Sequence, residues 1–132
     1  MIIMHSRGSI ADMATYAHAE YGSDVTGAVV SELRRQIDVA LAAGSDPTSI
    51  VVDPGIGFAK RSEHSLTVLS ELPRITTLGH PVLVGVSRKR FIGEITGVST
   101  ASERLNGSIG ACVAALARGA GLFRVHDVRA TR

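Results

Sequence analysis

The sequence predicts an α/β protein built on a parallel β-sheet, and three observations support that fold class. Four short apolar runs rich in β-branched residues recur along the 132 residues, without the strict alternation of a half-exposed strand. Segments with apolar residues at every fourth position lie between these runs, as in amphipathic helices. Polar residues follow each apolar run. The resulting order β-α-β-α-β-α-β implies right-handed crossovers between parallel strands.

The four apolar runs predict strands near residues 2–5, 49–53, 81–86 and 122–126. Each strand ends in polar residues that stand out from the rest of the chain: His5-Ser6-Arg7, Asp53-Pro54-Gly55, Ser87-Arg88-Lys89, and Arg124 with His126 and Asp127. In parallel α/β folds, ligands bind beyond the carboxyl ends of the strands. The distribution of polar residues therefore favours an active site at that edge of the sheet over a surface where these residues only face solvent.

The spacing of apolar residues predicts helices over residues 25–41, 66–72, 91–97 and 105–116. Gly44 and Gly119 stand where glycine is preferred after a helix, and we expect Pro73 to end the second helix. No helix is expected after the fourth strand. A complete (β/α)8 barrel takes roughly 250 residues, so four βα units supply about half of one. We interpret residues 1–132 as a single-domain fragment, truncated at both ends.

The composition narrows the class of protein. Apolar residues make up 45% of the chain and charged residues 20%, which is typical of a globular domain, and a net charge of +2 does not indicate nucleic-acid binding. Cys112 is the only cysteine, which excludes an intramolecular disulfide and a cysteine-based zinc site and agrees with a reducing cytosol. The N-terminal apolar run is shorter than the roughly 20 residues of a membrane span and lacks the features of a signal peptide. We therefore expect a cytoplasmic protein that binds neither nucleic acid nor membrane.

The segment after the second strand, Asp53-Pro54-Gly55-Ile56-Gly57-Phe58, has the composition of a tight turn at a ligand site. Proline fixes one φ angle, and the two glycines let the backbone approach a flat ligand. A carboxylate at a strand end can accept two parallel hydrogen bonds from a paired N–H edge such as that of a 2-aminopyrimidinone. The alternative is that Asp53 only caps the turn. The segment contains neither a phosphate loop nor a dinucleotide fingerprint.

Two basic clusters follow the third and fourth strands. The segment Ser87-Arg88-Lys89-Arg90 precedes a helix start, where free N–H groups and fixed positive charge together favour anions; the alternative is a solvated basic turn. Arg124 and His126 alternate along the last strand and so share one face. Two such groups on the inner face of a buried strand are costly unless they bind a ligand. Asp127 either orients His126 or begins the next loop.

Three other residues have both a functional and a structural interpretation. His5 ends the first strand, but a lone histidine there is more often a structural hydrogen-bond donor. Met4 either lines a pocket or fills the barrel core. Cys112 lies on the apolar stripe of a helix and is expected in the core. The spacing of the histidines predicts no metal site.

Taken together, these segments resemble dihydropteroate synthase over essentially the whole chain. The matching stretches are MIIMHSRG, IVVDPGIGFAK followed by EHSLTVL, PVLVGVSRKRFIG, RLNGSIGACVAALARGAG and LFRVHDVRA. The resemblance implies the C-terminal half of a TIM barrel, with the chain supplying its fifth to eighth strands. It also implies a transferase of folate biosynthesis, which condenses 6-hydroxymethyl-7,8-dihydropterin diphosphate with p-aminobenzoate to give 7,8-dihydropteroate and pyrophosphate.

The resemblance assigns roles to residues of this sequence. Asp53 would hold the amino-pyrimidine edge of the pterin, and Lys89 its carbonyl and N5 side. Arg124 and His126 would bind the diphosphate, so that Lys89, Arg124 and His126 form the catalytic set. Because diphosphate is thought to leave early in this family, the main electrostatic task is to stabilise the departing anion.

The remaining implied contacts concern p-aminobenzoate and the walls of the pterin slot. Phe58 would pack on p-aminobenzoate, and Arg90 would lie near its carboxylate. Met4 and Gly85 would line the pterin slot.

The sequence also departs from the family pattern. The N-terminal half of family members carries a magnesium-binding asparagine, two mobile loops, and an Asp and an Asn that complete the pterin pocket, and none of those motifs occurs in this sequence. The resemblance therefore implies Mg²⁺ as a cofactor while leaving no metal ligand in this chain. We expect residues 1–132 alone to lack synthase activity, and their unpaired strand edges allow association into a homo-oligomer.

Two alternatives remain open at this point. One is a truncated or paralogous pterin-binding chain without catalysis. The other is the pterin-binding domain of a methyltetrahydrofolate methyltransferase; the SRKRFIG and RVHDV segments argue against it, because a methyl-transfer site has no diphosphate to hold.

Overall fold

The computed structural model describes all 132 residues of the chain. Its strands are β1 (Ile2–Met4), β2 (Val51–Asp53), β3 (Leu83–Val84) and β4 (Leu122–Phe123). Its helices are α1 (Val25–Ala42), α2 (Ser62–Ser70), α3 (Leu72–Thr76), α4 (Arg90–Thr96), α5 (Leu105–Leu116) and α6 (Val128–Thr131), and 3-10 turns cover Pro47–Ser49 and Ala101–Glu103. The strands are separated by helices in the predicted order.

The strands form two parallel pairs joined edge to edge. β1 pairs with β2, with Met4 opposite Asp53, and β3 pairs with β4. A parallel bridge between Val52 and Val82 links the two pairs, so the spatial order follows the chain order. This arrangement confirms the predicted partial barrel with four parallel strands.

The strands are shorter than the predicted ranges: β1 and β4 stop before their polar ends, β2 begins later than expected, and β3 is shorter at both ends. Single backbone bonds still continue the ladder beyond the strand ends. The N–H of His5 donates to the carbonyl of Asp53 at 2.9 Å, and the N–H of Arg124 donates to the carbonyl of Val84 at 3.1 Å. The polar residues are therefore held in strand-like register although they lie outside the regular sheet.

One face of the sheet packs against the helices, and the other is open. Ile3, Val52 and Val84 are buried in a core of 20 residues, to which α1 contributes a stripe that includes Leu33. Successive residues of a strand point to opposite faces, so Ile2 lies on the other side, where it is 59% exposed. The face that would line the interior of a closed barrel is thus accessible.

The helix predictions hold with two corrections. Pro73 does not end a helix: α2 ends at Ser70, and Pro73 lies in the first turn of α3, where a missing N–H removes no intrahelical bond. A single helical turn, α6, follows β4 where none was expected, and none of its residues is buried. Gly44 and Gly119 have positive φ angles of 89° and 99° just after α1 and α5, as predicted.

Two further observations concern the helices as a set. Cys112 is buried on α5, as the sequence predicted. No helix combines the length and the apolar character that crossing a membrane would require.

Candidate active site

Five of the residues singled out in the sequence lie at the carboxyl ends of the strands. Met4 ends β1, and Asp53 lies opposite it at the end of β2. Gly85 follows β3, and Arg124 and His126 follow β4. The structure therefore gathers them along one edge of the sheet, on the side away from the helices.

Asp53 is nearly buried and is held by the turn that follows it. Its Oδ1 accepts a hydrogen bond from the N–H of Gly55 at 2.8 Å. Gly55 has a φ of 67°, and a Cβ at this position would overlap the carbonyl oxygen of His5, so glycine is required here. Burial raises the pKa of the Asp53 carboxyl, against the opposing effects of the Gly55 N–H and the charges of Arg124 and Lys89. Asp53 caps the turn and also faces two cations.

Arg88 is used to build the turn after β3. It adopts a φ of 61°, which is uncommon for a residue with a side chain. Its backbone N–H donates to Ser108 Oγ at 2.9 Å, and its guanidinium donates to both oxygens of Asp127 at 2.7 and 3.1 Å. Arg104 donates to the carbonyl oxygen of Arg88 at 3.0 Å. Asp127 therefore pairs with Arg88 rather than orienting His126.

Lys89, the next residue, points toward the loop after β2. Its Nζ lies 3.9 Å from the centre of the Phe58 ring, and a Cβ on Gly57 would stand 3.2 Å from its Cδ. Burial and the nearby charge of Arg124 lower the pKa of Lys89, while Asp53 acts in the opposite direction. This lysine thus connects the two halves of the sheet through a cation–π contact.

Arg124 and His126 share the open face of β4, as predicted from their alternation. The Arg124 guanidinium packs on Gly85, where a Cβ would stand 2.9 Å from Nη2. His126 Nδ1 lies 3.0 Å from Ser87 Oγ, which also accepts the backbone N–H of His126 at 3.2 Å. Neither Arg124 nor Lys89 takes part in an ion pair of the chain.

Two cavities adjoin these cations. The larger has a volume of about 590 Å³ and is lined by Gly85, Ser87, Arg88, Lys89, Ala101, Arg124, Val125 and His126. The smaller, about 160 Å³, is lined by Lys89 and Arg90 together with Tyr16 and Gly57. Arg90 Nη1 donates to the Tyr16 hydroxyl at 3.2 Å in this second cavity. Lys89 lines both cavities, whereas Asp53 lines neither and borders the site on the open face of the sheet.

A buried ionic cluster beneath β1 and β2 was not predicted from the sequence. His5 is fully buried, with Nε2 lying 3.0 Å from Glu32 Oε2 and Nδ1 lying 2.8 Å from Lys60 Nζ. Arg7 also donates to Glu32. Two features could have indicated this cluster: a lysine in an otherwise apolar turn, and a glutamate beside the apolar stripe of α1.

The residues present do not form a magnesium site. The structure contains no group of three or more His, Cys, Asp or Glu side chains placed to hold a metal ion. The open end of the sheet carries Lys89 and Arg124, whose positive charges repel a divalent cation. Mg²⁺ therefore does not fit the donor set of this site.

These features define an α/β protein with four parallel strands of a partial barrel and a row of polar residues at the carboxyl ends of those strands. A family described as pterin binding enzyme matches residues 1–126, and the chain belongs to this family.

Relatives and solved structures agree with that assignment. The dihydropteroate synthase of Neisseria meningitidis serogroup C is 42% identical over 98% of this chain and 45% of its own length. The Thermus thermophilus dihydropteroate synthase in complex with 4-aminobenzoate superposes with a TM-score of 0.90 at 46% identity, over 99% of this chain and 49% of that one. The Xanthomonas albilineans enzyme in complex with 7,8-dihydropteroate has a TM-score of 0.88 at 41% identity, over 98% and 45%. The chain therefore spans just under half the length of these similar proteins.

Proposed function

We propose that residues 1–132 supply the pterin- and diphosphate-binding part of a dihydropteroate synthase. The reaction joins 6-hydroxymethyl-7,8-dihydropterin diphosphate to p-aminobenzoate and releases pyrophosphate. One observation carries the proposal: a nearly buried carboxylate, Asp53, lies within the electrostatic reach of Lys89 and Arg124, two cations that form no ion pair within the chain. A ligand with an N–H edge at one end and a diphosphate at the other would pair with the carboxylate through the first and with the two cations through the second.

Asp53 would recognise the pterin edge. The Gly55 N–H occupies one position on Oδ1 and orients the carboxylate, which retains acceptor capacity for the paired N–H groups of an aminopyrimidinone ring. The ring would lie over the open face of the sheet, between Met4 and Gly85. Lys89 would donate to the carbonyl and N5 side. Charge-assisted bonds of this kind contribute about 1.5–3 kcal/mol each.

Arg124 and His126 would hold the diphosphate as it leaves. The C–O bond to the diphosphate breaks, the amine nitrogen of p-aminobenzoate forms a bond to the freed methylene carbon, and the amine then loses a proton to solvent. When Ser87 Oγ donates to His126 Nδ1, the imidazole proton resides on Nε2 and is free to donate to the departing anion. Preorganised donors aimed at a developing negative charge supply the main electrostatic stabilisation.

p-Aminobenzoate would occupy the region of Lys89, Phe58 and Arg90. Phe58 supplies an aromatic surface beside the Lys89 ammonium. Arg90 lines the neighbouring cavity and would lie near the carboxylate of p-aminobenzoate. We assign no step to Mg²⁺, because these residues offer it no donor set. We further propose that residues 1–132 act as a single domain in the cytoplasm.

Two measurements test the proposed function. Titration calorimetry of residues 1–132 with 6-hydroxymethylpterin and, separately, with pyrophosphate should detect both ligands. Pyrophosphate release should be undetectable for the chain alone and should appear on mixing with the part of the T. thermophilus enzyme that this chain does not cover. Binding without turnover in the mixture would favour the alternative of a pterin-binding chain without catalysis. Absence of pterin binding would reject the proposed function.

Light scattering of the same preparation reports on association between copies. β1 and β4 leave backbone edges unpaired, and such edges favour pairing with another chain. A homodimer that dissociates when the uncovered part of the T. thermophilus enzyme is added would identify those edges as the contact surface.

A further inference from the structure

Lys60 is a buried cation that the proposed reaction does not use. It is 1% exposed, and together with Lys89 it makes up the lysine content of the chain. A buried ammonium is costly unless each of its donors has an acceptor. Lys60 meets that condition: Nζ lies 2.8 Å from His5 Nδ1 and donates to the carbonyl oxygens of Gly55 and Phe58 at 3.2 Å each. Three donors therefore meet three acceptors.

The contact with His5 continues the network into α1. Because Nδ1 of His5 accepts from the Lys60 ammonium, the imidazole proton lies on Nε2 and donates to Glu32 at 3.0 Å. Glu32 belongs to α1 and is held from the other side by Arg7. A continuous chain of hydrogen bonds thus runs from a helix through the end of β1 to the loop that follows β2.

The two carbonyl oxygens that Lys60 binds belong to the first and the last residue of the loop 55–58, which follows Asp53. Gly55 orients Asp53 through its N–H, and Phe58 carries the ring that faces Lys89. Other bonds hold the loop at different points: Gly57 N–H donates to Ser65 Oγ at 3.2 Å. The backbone N–H of Phe58 also donates to the carbonyl oxygen of Gly55 at 3.0 Å, and the ammonium of Lys60 ties these same two residues to His5.

We propose that Lys60 is a positioning residue, which fixes residues 55–58 so that Asp53 and Phe58 meet the pterin and p-aminobenzoate together. This inference rests on the proposed function. Lys60 borders the smaller cavity, but its ammonium is bonded to His5 and to the carbonyl groups of Gly55 and Phe58. It therefore acts through these two carbonyl groups and through its charge, which favours the ionised form of Asp53. An apolar side chain of the same length would fill the space and supply neither effect.

The charge of Lys60 gives the proposal a pH-dependent readout. Burial lowers its pKa from 10.5 to about 7, with Asp53 and Glu32 acting against the shift and Arg7 and Lys89 adding to it. The ammonium form is therefore lost as the pH rises through about 7, so pterin affinity should fall over that range. His5, also in contact, has a pKa lowered to about 4 and stays neutral there.

The experiment compares Lys60→Met, Lys60→Arg and Arg61→Met with the unmodified chain. Arg61 is the adjacent, exposed cation and serves as the matched control. In Lys60→Met, we expect affinity for 6-hydroxymethylpterin to fall at least about tenfold and to lose its decline above neutral pH. Lys60→Arg should recover part of the affinity, and Arg61→Met should retain all of it. Unchanged affinity and an unchanged pH profile in Lys60→Met would overturn the proposal.

A second measurement does not depend on the folding of the Lys60 variants or on the ligand. With ¹³C-labelled lysine, the chain gives signals from Lys60 and Lys89 alone, and Lys89→Met assigns them. The Lys60 signal should titrate near pH 7 in the free protein, and amide exchange should show protection of residues 55–58. A Lys60 signal that titrates like free lysine would overturn the inference even if pterin binds. A failure of pterin binding alone would instead reject the proposed function.

Discussion

The ionic groups beneath β1 and β2 bond to one another, and we call them the closed region. Lys89 and Arg124, the cations after β3 and β4 that have no ion-pair partner, we call the open region. His5, Glu32 and Lys60 each bond to another member of the same network, and the ammonium donors of Lys60 are all used. By contrast, Lys89 and Arg124 form no ion pair with a carboxylate. The charge of Arg124 disfavours the protonated form of Lys89 and so lowers its pKa. The two regions of the sheet thus differ: His5 and Lys60 are buried and bonded to each other, whereas Lys89 is half-buried, Arg124 is exposed, and neither has an ion-pair partner.

This difference indicates a structural role for the closed region and a ligand-binding role for the open region. The hydrogen bonds of the closed region are complete without a ligand, so they stabilise the conformation of the loop after β2. The two open cations have no ion-pair partner in the chain, and the charge of Arg124 lowers the pKa of the half-buried Lys89, so a bound anion would be favoured by both charges. We therefore expect changes in the closed region to affect folding and loop order, and changes in the open region to affect anion binding.

The largest expected effect belongs to the open region. In the mixture of residues 1–132 with the uncovered part of the T. thermophilus enzyme, Arg124→Ala should slow pyrophosphate release by ~30–1000-fold, or about 2–4 kcal/mol, because a charge-assisted bond to the departing anion is lost. Rapid-quench measurement of a single turnover reports this directly. Arg35→Ala, on the exposed side of α1, is the control and should have no effect. A loss below threefold would remove Arg124 from the diphosphate site.

The closed region should instead be sensitive to acid. Burial and the charge of Lys60 lower the pKa of His5 from 6.5 to about 4. Between those values the unfolded chain binds a proton that the folded chain excludes, so stability is present above pH 6.5, is lost as the pH falls toward 4, and changes no further below that. The loss should approach about 3 kcal/mol.

Urea midpoints at pH 7 and pH 4 measure that loss. The unmodified chain should lose more stability on acidification than His5→Gln, which cannot gain the proton. Asp53 has a raised pKa and acts in the opposite direction, but it is present in both proteins and cancels in the comparison. Exposed His18 provides the control, and His18→Gln should follow the unmodified chain. Parallel curves for His5→Gln and the unmodified chain would contradict the assigned burial cost.

Asp53 lies between the two regions, and its replacement should give an intermediate effect. Asp53→Asn exchanges one acceptor for a donor that faces the N–H edge of the pterin. Affinity for 6-hydroxymethylpterin should therefore fall on the order of tenfold to a hundredfold, since hydrogen bonds to charged groups contribute about 1.5–3 kcal/mol. Calorimetry with this ligand isolates the pterin end because it has no diphosphate, and pyrophosphate affinity should be retained. Unchanged pterin affinity would leave Asp53 as a turn cap alone.

The smallest effect is expected at Gly85. A Cβ there would stand 2.9 Å from Arg124 Nη2, so Gly85→Ala must displace a flexible guanidinium rather than backbone. Pyrophosphate affinity should fall by about threefold, equivalent to less than 1 kcal/mol. Gly121→Ala is the matched control, since nothing lies within 4 Å of its added Cβ. Equal effects of the two substitutions would contradict the contact between Gly85 and Arg124.

The open region was largely predictable from the sequence because it depends on strand ends. Apolar runs followed by polar residues indicated where Asp53, Arg124 and His126 would meet, and alternation placed the last two on one face. The sequence could not rank the cations of the SRKR segment. Arg88 lines the larger cavity, but its backbone is left-handed and its guanidinium is paired with Asp127, which lies 39 residues away.

The closed region escaped prediction because its partners are distant and come from different kinds of element. Glu32 lies 27 residues after His5, and Lys60 lies 55 residues after it, so no periodicity relates them. Pro73 shows a simpler ambiguity, since proline is compatible with the position after one helix and with the first turn of the next. Tertiary placement, rather than local pattern, decides such cases.

The most direct test of the contrast between the two regions is pyrophosphate binding to three proteins. Arg124→Ala removes an open cation, and Arg7→Ala removes a cation that is closed on Glu32. Titration calorimetry should show at least about a tenfold loss of pyrophosphate affinity for Arg124→Ala and a change within about twofold for Arg7→Ala. Equal losses in the two variants, or no loss in Arg124→Ala, would contradict the assignment of the diphosphate to the open end of β3 and β4.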